Sequence, residues 1–197
     1  MDIMDIVVSG QIKATYEIAG DNAALLCPPH PLMGGNRFDV RLERICRELH
    51  PLGFSTLRLD YRTPYRNGTG EIEDARMCLR YLKERHPFVA VIGYSFGSIV
   101  ASNVADEGDA LILISPLWRI DEMSLKDSKV PKLIVYATRD DIVPVDESKS
   151  IVESLSEPKE VLELETDHFY FGKFDELSKA VSRFLNKLSG KSNDSGG

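Results

Sequence analysis

The segment Gly93-Tyr94-Ser95-Phe96-Gly97 sets a serine between glycines two positions before and two after it. A serine hydroxyl is a weak nucleophile at neutral pH. It attacks a carbonyl usefully only when a base takes its proton and a third group orients that base. Candidates for both lie further along the chain. Of the four histidines, His50 and His86 stand beside Pro51 and Pro87 at the ends of helical patterns, where an imidazole complements a helix terminus or faces water. His30 lies in a proline-rich loop and is read as bracing it. His168, in Thr166-Asp167-His168-Phe169, follows a late strand-like run and is the expected base. Asp140, within Arg139-Asp140-Asp141-Ile142-Val143-Pro144, is the preferred acid. Asp141 competes, but Asp140 is nearer the preceding strand, and the acid of such a trio must be buried against the imidazole. Asp167 ranks third, because sequence neighbours rarely face each other well enough to orient a ring.

Three residues so far apart need a scaffold that brings them to one rim. Residues 6–8 and 12–18 read as two opening strands, a hairpin through Ser9-Gly10. Short apolar runs at 23–27, 88–92, 110–114 and 132–136 read as buried strands, with 55–61 and 160–164 as two more. Between them, apolar residues recur at helical spacing over 38–49, 72–85, 95–105, 146–155 and 176–188; Phe38, Leu42, Ile45 and Leu49 make the stripe of the first. Buried strands alternating with helices predict an α/β fold, a mostly parallel, doubly wound sheet with helices on both faces. Functional groups then gather at the carboxyl ends of the strands. Ser95, Asp140 and His168 each fall just past such an end. The serine segment also has the strand–turn–helix setting of a nucleophile elbow, in which the amide of Phe96 faces the space above the serine and can hold an oxyanion.

The loop Cys27-Pro28-Pro29-His30-Pro31-Leu32-Met33-Gly34-Gly35 follows the third strand and is expected to supply the second oxyanion donor. Pro28, Pro29 and Pro31 have no N–H. Leu32 is the first choice and Met33 the second. Residues 115–130 leave room for a loop or one short helix, not a cap domain. Met33, Tyr65 and Trp118 are expected in the wall of an open substrate pocket.

The chain has 197 residues, enough for one domain with an ordinary core, expected over 1–189, with 190–197 as a flexible C-terminal tail. A net charge of −7 argues against a nucleic-acid surface. No apolar run approaches the roughly 20 residues that cross a bilayer, and acids near Met1 oppose a signal peptide. Three widely spaced cysteines, Cys27, Cys46 and Cys78, predict no disulfide framework and a cytoplasmic setting. The histidines and cysteines have no metal-ligand spacing, and no cofactor is expected. Gly190-Lys191-Ser192 has the ending of a phosphate-binding loop but lacks its first glycine, since Leu185 stands there.

Taken together, His30-Pro31-Leu32-Met33-Gly34-Gly35, residues 53–58, Gly93-Tyr94-Ser95-Phe96-Gly97, residues 140–144 and Asp167-His168-Phe169 make a pattern over about residues 23–188. It resembles the short, lid-poor α/β-hydrolases with an HPHPxxGG loop, grouped near dienelactone-hydrolase-like and esterase-like proteins. The resemblance implies the α/β-hydrolase fold without a cap domain and Ser95, Asp140 and His168 as a catalytic triad; the leading expectation is hydrolysis of a small ester or thioester through an acyl-enzyme. Pro28 stands where that pattern has a histidine, and the loop at 62–68 is shorter than the usual Gly-rich version. A peptidase or acyltransferase on the same triad, or a non-catalytic binding module of the same fold, are the alternative functions.

Overall fold

The computed structural model describes residues 1–191. Eight strands form one sheet: β1 (Asp2–Val8), β2 (Ile12–Ile18), β3 (Asn22–Cys27), β4 (Phe54–Leu59), β5 (Val89–Tyr94), β6 (Ala110–Ile114), β9 (Lys132–Ala137) and β10 (Lys159–Leu164). A small two-stranded ribbon, β7 (Arg119–Ile120) with β8 (Met123–Ser124), lies between β6 and β9 in the chain. The order across the large sheet is β1-β2-β4-β3-β5-β6-β9-β10. Strand β2 runs antiparallel to both its neighbours, and every other pairing is parallel.

Among the described residues the α-helices are α1 (Val40–Leu49), α2 (Thr69–Lys83), α3 (Phe96–Val104), α4 (Val145–Ser154) and α5 (Phe174–Lys191). Alternate residues of each central strand point to opposite faces. On one face Leu25, Val91 and Leu113 pack with Leu79 of α2, Val100 of α3 and Ile151 of α4. On the other Leu26, Ile92 and Ile112 pack with Ile45 of α1 and Val181 of α5. Buried on both faces, these strands read as unbroken apolar runs. This is the α/β-hydrolase fold, and the interval between β6 and β9 holds the ribbon rather than a cap.

The chain passes from β3 to β4 on one side and then to β5 on the other. That reversal opens a crevice at the carboxyl ends of β3 and β5. The loop at 28–35 and Ser95 therefore meet. Several expected boundaries move: β1 begins at Asp2 and not at 6, β4 ends at Leu59 and not at 61, and α2 begins at Thr69 and not at 72. Helix α1 starts after Phe38, which is exposed; Asp39 caps it by accepting from the amides of Arg41 at 2.9 Å and Leu42 at 3.3 Å. At the C-terminus α5 runs through 190 and 191, so the expected tail begins inside a helix. The other tail positions, 192–197, lie outside the described residues.

Candidate active site

Ser95 is the last residue before α3 and has φ +54° and ψ −118°, a conformation costly for a residue with a Cβ. Its neighbours force it. The Ser95 amide donates to the Ile114 carbonyl of β6 at 2.9 Å. The Ser95 carbonyl accepts from the amide and hydroxyl of Ser98, at 2.8 and 2.6 Å. A Cβ on Gly97 would sit 2.0 Å from the Cys27 carbonyl oxygen, and one on Gly93 would sit 2.0 Å from that of Gly97. Only glycines let the elbow close this tightly against β3.

His168 Nε2 lies 2.9 Å from Ser95 Oγ, and Nδ1 lies 2.7 Å from Asp140 Oδ2. A carboxylate only accepts, so Nδ1 carries the proton and Nε2 is free to accept from the serine hydroxyl. Asp140 Oδ1 accepts from the amides of Ile142 at 2.8 Å and Val143 at 2.7 Å. The Asp140 side chain is 1% exposed and that of His168 6%. Burial alone raises the Asp140 pKa. The hydrogen bonds from His168, Val143 and Ile142 outweigh it, and the carboxyl is held below its ordinary value. Neither rival acid is placed this way. Asp141 is exposed, and Asp167 Oδ1 accepts from the amides of Phe169 and Phe171 instead.

Phe96 begins α3, and its N–H has no carbonyl a turn earlier to donate to. The loop donors differ from expectation. The Leu32 amide points back to His30 Nδ1 at 3.2 Å, capping a single 3-10 turn, and the residue is 68% exposed. The amides of Met33 and Gly35 both donate to the His30 carbonyl, at 3.0 and 2.9 Å. Neither expected donor is free, because His30 gathers the turn onto itself. The N–H of His30 has no acceptor among the described residues.

A cleft of about 380 Å³ opens over Ser95. Of the three residues expected in a pocket wall, Met33 lines this cleft and Tyr65 and Trp118 do not. The Tyr65 ring stands behind His30, 4.9 Å between centroids, and its hydroxyl donates to Asp121. Two buried carboxylates pin the loop that carries it: Glu71 takes the amides of Arg66 and Gly68, and Asp74 takes Arg62 and Arg66. The Trp118 amide donates to Glu147, which turns that segment toward α4. The wall is built instead by Leu117 and Ile120 from the ribbon segment, Ile142 beside Asp140, and Phe169 beside His168.

Charge in the cleft comes from Asp39 and Arg41 of the α1 start. Arg41 gives Nε to Asp39 at 3.1 Å, so its charge is paired. Periodicity marks Arg41 only as a polar residue of α1, and no signal in the chain announces it. His30 also lines the cleft; burial lowers its pKa despite Asp121 nearby, which favours the neutral ring. Among the described residues no group of three or more His, Cys, Asp or Glu side chains is placed to hold a metal ion, and no helix is long and apolar enough to cross a membrane.

The model of the serine hydrolase (FSH1) family matches residues 66–170, just over half of the chain. An uncharacterized protein of Rickettsia prowazekii is 29% identical over 201 residues, covering 89% of this chain and 84% of that protein. An α/β serine hydrolase homologue from Coxiella burnetii superposes with a TM-score of 0.82 at 27% identity, over 93% of this chain and 97% of the other. An α/β serine hydrolase without a lid from Xanthomonas campestris superposes with a TM-score of 0.83 at 20% identity, over 95% of each chain.

Proposed function

The chain belongs to the serine hydrolase (FSH1) family, and from that premise we propose that it cleaves a small ester or thioester through an acyl-enzyme, with Ser95, His168 and Asp140 as the catalytic triad. The observation that carries the proposal is the pair of contacts on one imidazole, 2.9 Å to Ser95 Oγ and 2.7 Å to Asp140 Oδ2. Ser95 Oγ attacks the carbonyl carbon as His168 Nε2 takes the hydroxyl proton. The carbonyl oxygen becomes an oxyanion, held by the Phe96 amide and, in place of Leu32, by the His30 amide. The intermediate collapses, the bond to the leaving group breaks, and His168 returns the proton to that group. Water then attacks the acyl-enzyme by the same route, with its proton passing through His168 back to Ser95. Asp140 stays ionised and stabilises the imidazolium.

The cleft favours an uncharged, apolar acyl group. Its walls are Met33, Leu117, Ile120, Ile142 and Phe169, and its arginine is already paired. All three cysteines are buried free thiols, which suits a reducing, cytoplasmic setting. Ser95→Ala should abolish turnover of p-nitrophenyl butyrate, and labelling by a fluorophosphonate probe, with the unfolding midpoint unchanged. Turnover in that variant equal to the wild type would refute the assignment.

A further inference from the structure

We propose that Tyr94 is a positioning residue that ties the backbone of the base to the nucleophile elbow, with Arg41 anchoring the next carbonyl of the same loop. The inference rests on the roles proposed for Ser95 and His168. Tyr94 is the residue before the nucleophile and is 2% exposed. Its hydroxyl donates to the His168 carbonyl at 2.6 Å. Burial raises its pKa, so the phenol keeps its proton and remains a donor. The Arg41 guanidinium lies 4.6 Å from the Tyr94 ring centroid and gives Nη1 to the Phe169 carbonyl at 3.3 Å. Asp39 holds Arg41 in turn, by a hydrogen bond from Nε at 3.1 Å and a second from Nη2. Two successive carbonyls, of His168 and Phe169, thus end on side chains from β5 and α1.

The geometry closes a ring. From Ser95 the path runs one peptide back to Tyr94, across its hydroxyl to the His168 carbonyl, through the imidazole, and back to Ser95 Oγ. Nucleophile and base are therefore fixed to each other directly, and not only through the sheet. Misplacing a catalytic group by about 1 Å can cost on the order of a hundredfold in rate, so a link of this kind acts on turnover more than on binding.

The test is Tyr94→Phe, which removes the hydroxyl and keeps the ring. Active sites are counted by fluorophosphonate titration, so that loss of folded protein is separated from loss of rate. Expected are a kcat per titrated site about tenfold lower, a parallel fall in the labelling rate constant, and KM within about twofold. Tyr170→Phe is the comparison. It removes another buried hydroxyl, bonded to Ser115 at 2.6 Å, with no bond to the His168 carbonyl; it should lower stability and leave kcat per site intact. If Tyr94→Phe kept both the wild-type labelling rate and kcat per site, the inference would be overturned. Should Tyr94→Phe fail to fold, Arg41→Met removes the second link and is read in the same way. Absence of labelling at Ser95 in the wild type would instead remove the hydrolase reading on which this one stands.

Discussion

Replacing Asp140 by Asn separates the electrostatic part of this site from its scaffold. Asp140 Oδ1 is committed to two amides, of Ile142 at 2.8 Å and Val143 at 2.7 Å, while Oδ2 faces His168 Nδ1 at 2.7 Å. An asparagine has one acceptor oxygen, and the two amides require it. Its NH₂ group is then turned toward His168. Two donors cannot face each other, so Nδ1 must give up its proton and accept. The ring's remaining proton moves to Nε2, which then points a hydrogen at Ser95 Oγ and can no longer take one. The reversed tautomer in a triad lowers kcat by roughly four orders of magnitude, equivalent to about 5 kcal/mol of barrier. The fold should tolerate the change, because the amide contacts survive and the volume is the same. The assay is kcat for p-nitrophenyl butyrate per titrated site, with thermal unfolding alongside. Asp141→Asn, at an exposed neighbour, should stay within about twofold of wild type, as surface substitutions do. If Asp140→Asn kept more than about a tenth of kcat while Asp141→Asn lost it, the acid would be misassigned and the tautomer argument with it.

Two further substitutions probe the scaffold. Gly97→Ala puts a Cβ 2.0 Å from the Cys27 carbonyl oxygen and 2.6 Å from that of Pro28; backbone cannot yield there without parting β3 from the elbow. A cost of about 1–3 kcal/mol should appear as a lower unfolding midpoint together with lost kcat. Gly34→Ala has φ +86° but open space around the new methyl, and should cost only about 1 kcal/mol of backbone strain. Equal midpoints for the two would contradict the close-approach argument. Glu107 accepts from Arg76 at 2.8 Å and Arg80 at 3.0 Å. Burial raises its pKa, but the two guanidiniums outweigh that and hold it below 4.5. With the folded pKa depressed, its contribution is present above about pH 4.5 and is lost as pH falls through the lower folded value. The difference in unfolding midpoint between wild type and Glu107→Gln should therefore shrink on acidification and in high salt. A difference independent of pH would refute the pairing.

What could be read from the chain alone follows the range of the forces involved. Strand β6 has the ends that its apolar run predicts, Ala110–Ile114, because burial on both faces leaves no polar residue to blur them. That Ser95, Asp140 and His168 would lie together was legible because each residue follows a recognisable strand. Helix ends were less so. Phe38 fits the apolar period of α1, yet Asp39 stops the helix short of it by capping. Helix α3 starts one residue after the helical pattern does, because Ser95 takes the strained, positive-φ conformation that the elbow turn imposes. The missed features are contacts without a period. Which way the Leu32 amide points depends on a side chain two residues earlier. Tyr65 is aromatic and near the site, but stands one layer behind it against His30. Tyr94 and His168 are 74 residues apart, and Arg41 and Phe169 are 128 apart; no local pattern encodes such pairs.

The topology explains why His168, the proposed base, has such distant anchors. The turn at Ser95 leaves β5 and the loop at 28–35 leaves β3, adjacent strands at the centre of the sheet. His168 follows β10, three strands away at the edge, and β10 pairs with β9 alone. Most of β10 is incompletely buried, so the sheet holds this strand less firmly than any central one. From Leu164 the chain must still cross toward β5 to bring the imidazole over Ser95. The side chains bonded to His168 and the residue after it come from Asp140 beyond β9, Tyr94 at the end of β5, and Arg41 at the start of α1. In a fold without a cap to press the loop down, fixing the His168 and Phe169 carbonyls from β5 and α1 would keep the proposed base and nucleophile in register.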